Sequence, residues 1–141
     1  MFRASCHNMT GFPPQSLILV VDDDVFERLG AADMFSHAGY DVLEAGNADE
    51  ALRCFEANSE IKLLFTDFNM PGLLNGSDLV HQVAERWPAV GIMMTSGRPQ
   101  PRDLPLRTSF HAKPYDPADV LRQAKAMTIP LGELARRAGV T

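Results

Sequence analysis

Four short stretches of this chain end in residues that could together transfer a phosphoryl group. Asp22, Asp23 and Asp24 follow the apolar run Leu17 to Val21. Asp67 follows Leu63 to Thr66, and Ser96 follows Ile92 to Thr95. Lys113 follows Phe110 to Ala112 and precedes Pro114. Adjacent aspartates at a strand end repel one another and lose solvation. A hard cation is the most direct compensation, and magnesium takes one or two carboxylates together with waters and phosphate oxygens. Asp67 is the natural nucleophile, because aspartyl phosphate is an established covalent intermediate. Ser96 can donate a hydrogen bond to a phosphoryl oxygen, and Lys113 can bind the same group as a mobile point charge.

Taken singly, each stretch has a plain reading. Three aspartates in a row make a solvated turn or a helix cap, and Asp24 fits the cap. Asp67 could open a turn, Ser96-Gly97 is a common loop, and Lys113-Pro114 alone specifies nothing. The order of the four and their apolar lead-ins favour a single site. In an open parallel α/β sheet the carboxyl ends of the strands share one edge, and ligands bind there.

The rest of the chain supplies such a sheet. Leu17–Val21 reads as a buried strand because it is continuously apolar. Val25, Leu29, Ala32 and Phe35 then recur at helical spacing, and Gly39 ends that helix. A short strand is expected at Asp41–Ala45. Asn47 opens a second helix, with Glu50 three residues on as a capping box and Ala48, Ala51, Leu52 and Phe55 as its apolar face. The third strand is Leu63–Thr66. The loop 69–76 leads to a third helix whose inner stripe is Leu79, Val80, Val83 and Trp87, with Pro88 as its stop. Ile92–Thr95 and Phe110–Ala112 are strands four and five. Asp116 caps the last helix, Pro117 opens its first turn, and Val120, Leu121, Ala124 and Met127 face inward. Alternation of this kind implies right-handed crossovers and a parallel sheet covered on both faces. One crossover differs. Pro99, Pro101 and Pro105 fall between strands four and five, where each disfavours a helix interior.

With 141 residues the chain fits one domain. A net charge of -5 disfavours binding to nucleic acid through its phosphates. Cys6 and Cys54 form no C-x-x-C pair, and His7, His37, His81 and His111 show no metal spacing. No apolar run approaches the length of a membrane span, and residues 1–16 lack the apolar segment of a signal peptide. A cytoplasmic location without membrane contact is the expectation.

At this point the chain resembles the receiver domain of two-component response regulators over about Leu17 to Met127. The matching text is Ile18 to Asp23, then Thr66-Asp67-Phe68-Asn69-Met70-Pro71-Gly72, then Thr95-Ser96-Gly97, then Phe110 to Tyr115. The resemblance implies a flavodoxin-like doubly wound five-stranded parallel sheet, here with a degenerate or shortened fourth helix. It implies that Asp67 accepts a phosphoryl group from a phosphohistidine on a sensor histidine kinase or phosphotransfer protein. It implies Mg2+ held by Asp23, Asp67 and the backbone carbonyl of Asn69, with Asp22 acting through water. Ser96 takes the position of the family's Thr or Ser, with Thr95 as the competing hydroxyl. Lys113 would pair with the phosphoryl group, and its bond to Pro114 would be cis. Ser96 and Phe110 would form the switch that alters a surface for a downstream protein target. The shorter, proline-rich segment between them departs from the family's pattern and leaves the mode of output open. The implied organisation is a flexible arm over 1–16, a receiver domain over 17–128 and a tail or short helix over 129–141. Leu131 to Thr141 looks like the first helix of a helix-turn-helix with no recognition helix after it, so a surface helix or frayed end is favoured. The expectation is a stand-alone receiver that works through protein contacts, a homodimer being allowed, and is not a turnover enzyme.

Competing functions share some of these residues. A haloacid-dehalogenase-type phosphohydrolase also uses a strand-end aspartate, a Ser or Thr and a Lys, and Asp22-x-Asp24 superficially fits its opening. It also needs an acidic pair after a later strand, whereas Asp116 and Asp119 sit in a helical pattern. A flavodoxin-like cofactor binder would need a phosphate loop where the chain has carboxylates. A degenerate receiver would have lost one of the site residues.

Overall fold

A computed structural model of the chain describes residues 16–129, apart from 71, 73 and 99–102. All but the last residue of the expected arm, all but the first residue of the expected tail, and Cys6 and His7 lie outside the described residues. Five strands form one parallel sheet: β1 (Leu17–Val21), β2 (Asp41–Ala45), β3 (Ile61–Asp67), β4 (Gly91–Ser96) and β5 (Thr108–Ala112). Their spatial order is β2-β1-β3-β4-β5. Four helices connect and cover them: α1 (Val25–His37), α2 (Ala48–Ala57), α3 (Gly76–Arg86) and α4 (Pro117–Thr128). This is the doubly wound arrangement expected. Among the described residues of the β4–β5 connection none is helical, so the helix after β5 is α4.

The alternation of side chains along each strand builds two cores. Leu19, Val21, Leu64, Ile92 and Met94 face α2 and α3, packing with Ala51, Phe55, Leu79, Val80 and Val83. Ile18, Val20, Leu63, Phe65 and Met93 face α1 and α4, packing with Ala31, Ala32, Phe35, Val120 and Ala124. Both faces of the central strands are buried, so their text is apolar throughout rather than alternating. The centre of the second core is aromatic: Phe35 meets Phe65 edge-on at 5.1 Å, and Phe65 meets Tyr115 at 5.8 Å.

Local chemistry sets the element ends. Asp24, Asn47, Asn75 and Asp116 cap the four helices by accepting backbone N–H bonds. At α2 Asn47 Oδ1 accepts from the N–H of Glu50 at 2.8 Å, and Glu50 accepts in turn from the N–H of Gly46 at 3.0 Å. After α1, Gly39 takes φ 100°, which closes the helix through Tyr40 N–H donating to the carbonyl of Phe35 at 3.0 Å.

Three readings need correction. Val25 and Leu29 are 50% and 42% exposed, so the buried stripe of α1 is Ala31, Ala32 and Phe35. Trp87 lies just past α3 as its C-cap, and from there it packs against the same core as the stripe, its ring stacking on Phe55 at 5.0 Å. Strands β3 and β5 begin at Ile61 and Thr108, earlier than the apolar runs suggest. Lys62 is exposed where the β1–β3 register shifts, and β5 is a half-exposed edge strand, so neither start needs apolar text.

One glycine is required by close approach. A Cβ on Gly76 would lie 2.5 Å from the carbonyl oxygen of Phe68 and 2.6 Å from that of Asp67. Both are backbone atoms at the end of β3, and they cannot move aside like a flexible side chain. Gly30, on the exposed side of α1, has nothing within 4 Å of its would-be Cβ. Gly76→Ala is therefore expected to destabilise the protein by about 1–3 kcal/mol, and Gly30→Ala to stabilise it by roughly 0.5–1 kcal/mol. Denaturant melts of the two variants check this, and equal effects would contradict the packing described.

Candidate functional site

The ends of β1 and β3 meet where the sheet's connections diverge, β1 leading outward to β2 and β3 leading the other way to β4. That is the switch point at which open α/β sheets bind ligands. Asp22 follows β1 directly, and Asp67 is the last residue of β3. Each is only 7% exposed, whereas Asp23 is exposed. The carboxylates of Asp22, Asp23 and Asp67 each present an oxygen within 4.8 Å of the others.

These carboxylates are under electrostatic stress. Burial pushes the Asp22 carboxyl from 3.8 up to about 6, the N–H of Asp24 opposing and the charge of Asp67 adding to the rise. Burial also raises the Asp67 carboxyl, which Lys113 and the backbone N–H of Asn69 oppose only in part. Asp67 Oδ1 is buried and accepts no hydrogen bond. Lys113 Nζ lies 3.2 Å from it, as a charge contact without hydrogen-bond alignment. Asp24 faces away as the α1 cap, its Oδ1 accepting from Phe26 and Glu27 N–H at 2.9 and 3.0 Å.

Lys113 is carried to this edge by β5. Its N–H donates to the carbonyl of Ser96 at 2.8 Å. The Lys113–Pro114 peptide bond is cis, as expected. Burial works against the charge on Lys113, but the hydrogen bond with Glu27 and the charge of Asp67 outweigh it and raise the ammonium pKa.

Ser96 is fully buried at the end of β4. Its Oγ accepts from the side-chain nitrogen of Asn69 at 3.2 Å and from the N–H of Arg98 at 3.0 Å. Thr95, the competing hydroxyl, pairs in register with Asp67 and lines the same small cavity as Asp67 and Lys113. The two hydroxyls lie on opposite faces of the sheet. Phe110 pairs with Met94 and packs into the core on the α2–α3 side, the side that alternation gives to Ser96.

Sequence reasoning brought Asp22, Asp23, Asp67, Asn69, Ser96 and Lys113 to one edge, and the structure places them there. It missed Glu27 and Arg28. Glu27 Oε1 accepts a hydrogen bond from Lys113 Nζ at 2.7 Å. Arg28 donates to the carbonyl of Asp22 at 2.8 Å and pairs with Glu44 at 3.3 Å, which ties the β1–α1 turn to β2. The signal for both was position: helix side chains lean toward the N-terminus, and these two occupy the first turns after the acidic run. Asp116 and Asp119, the acids after β5, are engaged elsewhere. Asp116 caps α4, and Asp119 pairs with Arg122 at 2.7 Å.

A set of oxygen donors this close, with an unpartnered buried carboxylate oxygen among them, fits a hard divalent cation. Among the described residues, no helix is long and apolar enough to cross a membrane.

Comparison with known proteins gives the same picture. The family model described as the response regulator receiver domain matches residues 18–121. Chemotaxis protein CheY1 of Helicobacter pylori is 46% identical over 67 residues, which are 47% of this chain and 53% of that protein. Transcriptional regulatory protein AruR of Pseudomonas aeruginosa is 32% identical over 117 residues, 77% of this chain and 47% of that protein. The chain thus spans about half the length of these curated relatives. The crystal structure of a response regulator receiver protein from Pseudomonas putida superposes with a TM-score of 0.72 at 25% identity, covering 82% of this chain and 99% of that one.

The raised Asp22 carboxyl predicts a pH dependence. An acid whose folded pKa exceeds its unfolded value binds more protons when folded, so its contribution to stability falls as pH rises between the two. For Asp22 that window runs from 3.8 to about 6, and the full cost is present above it. In metal-free protein Asp22→Asn should therefore raise Tm by about 4 °C or more near neutral pH and by much less near pH 4. Thermal melts at the two pH values check this; the same gap at both would contradict it.

Proposed function

This chain belongs to the response regulator receiver domain family, and from that premise we propose that it is a phosphoacceptor switch of two-component signalling. Asp67 is the acceptor. Its carboxylate oxygen attacks the phosphorus of a phosphohistidine on a sensor kinase or phosphotransfer protein. The P–N bond breaks, its electron pair returns to the imidazole, and Asp67 becomes an acyl phosphate. The observation that carries this reading is Asp67 Oδ1 itself: buried, without a hydrogen bond, and 3.2 Å from Lys113 Nζ.

Asp22, Asp23, Asp67 and the backbone carbonyl of Asn69 would hold Mg2+. When bound, the ion supplies positive charge for the phosphoryl oxygens. Lys113 binds the transferred group from the other side. Thr95, which pairs in register with Asp67 and lines its cavity beside Lys113, donates its hydroxyl to the phosphoryl group. Thr95 is favoured over Ser96 for this contact because Ser96 lies on the opposite face, with its Oγ held by Asn69 and Arg98; there Ser96 neighbours Phe110, so a shift of the β4 end frees space for that ring. The phosphoryl group thus interacts differently with two arrangements of one surface, which is what a switch requires. The altered surface comprises the β4–β5 connection, β5 and α4, and it is read by a downstream protein.

The donor must bring its imidazole over the edge that α1 borders. Val25, Phe26 and Leu29 are 50%, 85% and 42% exposed there. An apolar patch beside an acidic pocket suits a protein donor. Residues 17–128 are the working unit in this reading, acting in the cytoplasm. The phosphohydrolase alternative is disfavoured because Asp116 and Asp119 are engaged in α4.

Incubation with acetyl phosphate and Mg2+ should add the mass of one phosphoryl group to the intact protein. Chelation of the metal should suppress the gain, and Asp67→Asn should abolish it. In a calorimetric titration Asp23→Ala should weaken Mg2+ binding more than Asp24→Ala does. An unchanged mass for the wild type with Mg2+ demonstrably bound would refute the proposal.

A further inference from the structure

Lys113 is the only ammonium in the cavity lined by Asp22, Asp67 and Thr95 among the described residues, and its aligned hydrogen bond does not go to Asp67. It goes to Glu27, at 2.7 Å, while Asp67 Oδ1 stands at 3.2 Å with no hydrogen bond. Glu27 comes from the first turn of α1, where the Asp24 cap fixes its N–H at 3.0 Å. The helical lean of its side chain carries the carboxylate back over the sheet edge, into the wall of the ≈ 20 Å³ cavity shared by Asp22, Asp67 and Lys113. That space holds about one water, so nothing larger enters without moving a side chain. Glu27 is half exposed and Lys113 largely covered, so the carboxylate can swing into solvent while the ammonium stays.

We propose that Glu27 is a built-in competitor for Lys113. It takes one of the ammonium's three N–H donors in the resting protein and draws the ammonium toward itself, in competition with a phosphoryl group on Asp67. This inference rests on the phosphoacceptor reading and concerns how that site is tuned. A phosphoryl group brings up to two negative charges and strong acceptor oxygens to the point where Lys113 sits. A second carboxylate on the same ammonium then repels the group and shares its partner. Glu27 thereby raises the barrier to phosphorylation and shortens the hold on the product. Its effect on a cation is the reverse. The charge of Glu27 is felt at both Asp22 and Asp67, so it adds to the pull on a divalent ion.

Opposite signs make the idea testable. Wild type, Glu27→Gln and Glu27→Ala are titrated first with Mg2+ alone, followed by calorimetry. They are then titrated with beryllofluoride at saturating Mg2+, followed by magnetic resonance of the backbone amides. Because the pair is partly exposed, the changes should be modest. Glu27→Gln should bind beryllofluoride about five-fold more tightly and Mg2+ about two-fold more weakly, and both differences should shrink in high salt. Glu27→Ala should do the same, which separates loss of the charge from any new contact made by the amide. Beryllofluoride affinity that is unchanged or weaker in both variants would overturn the proposal, as would losses of both ligands together, the pattern of a frayed α1. A wild type that binds Mg2+ but takes neither beryllofluoride nor a phosphoryl group would instead overturn the phosphoacceptor reading beneath it.

Discussion

A carboxylate oxygen buried without a hydrogen bond is costly for a fold to hold, and Asp67 Oδ1 is such an atom. Asp22 lies beside it, also buried, and Asp23 at the rim. Among the described residues one ammonium, Lys113, serves this side of the sheet edge, and it is shared with Glu27. The negative charge is therefore undercompensated, and the resting site is prepared for added positive charge. It is also prepared for a reaction that converts the Asp67 oxygen from a stressed anion into part of an acyl phosphate. Stability is given up locally where the chemistry needs it.

The remainder of the molecule makes that stress tolerable. The acids stand at the ends of strands whose neighbours are buried on both faces, so the backbone beneath them has little freedom. Arg28 holds the carbonyl of Asp22 and reaches Glu44 on β2, while Asp24 caps α1. Gly76 lets the start of α3 come against the backbone that follows the acceptor. On the far side Lys113 is clamped to Ser96 through its N–H. The two hydroxyls after β4 are divided between the sheet's faces, Thr95 toward the acceptor and Ser96 toward Phe110. A pull on Thr95 that shifts the end of β4 can thus reach Ser96 and the aromatic ring on the edge strand.

Much of this was legible in the chain because burial on both faces writes itself as apolar text. Leu17–Val21 and Asp41–Ala45 could be delimited directly, and the carboxyl ends of the strands led to the acids, the serine and the lysine. Strand β5 was legible only in its second half. As an edge strand it is half exposed, and its Thr-Ser start carries no apolar signal. Helix α1 misled for a related reason: Val25 and Leu29 keep helical spacing but point to solvent beside Phe26. Periodicity reports an apolar face, not what covers it. The Glu27–Lys113 pair could not be seen at all, since 86 residues separate its members and only the closed sheet brings them together.

The central claim is that the stressed oxygen of Asp67 is where the phosphoryl group lands. Reductive trapping asks this most directly. Protein treated with phosphodonor and Mg2+ is reduced with borohydride, which converts an aspartyl phosphate to homoserine, then digested and sequenced by mass spectrometry. The account predicts homoserine at position 67 and nowhere else. Homoserine at Asp22 or Asp23, or a phosphoryl group that resists reduction because it sits on a serine or threonine, would contradict it.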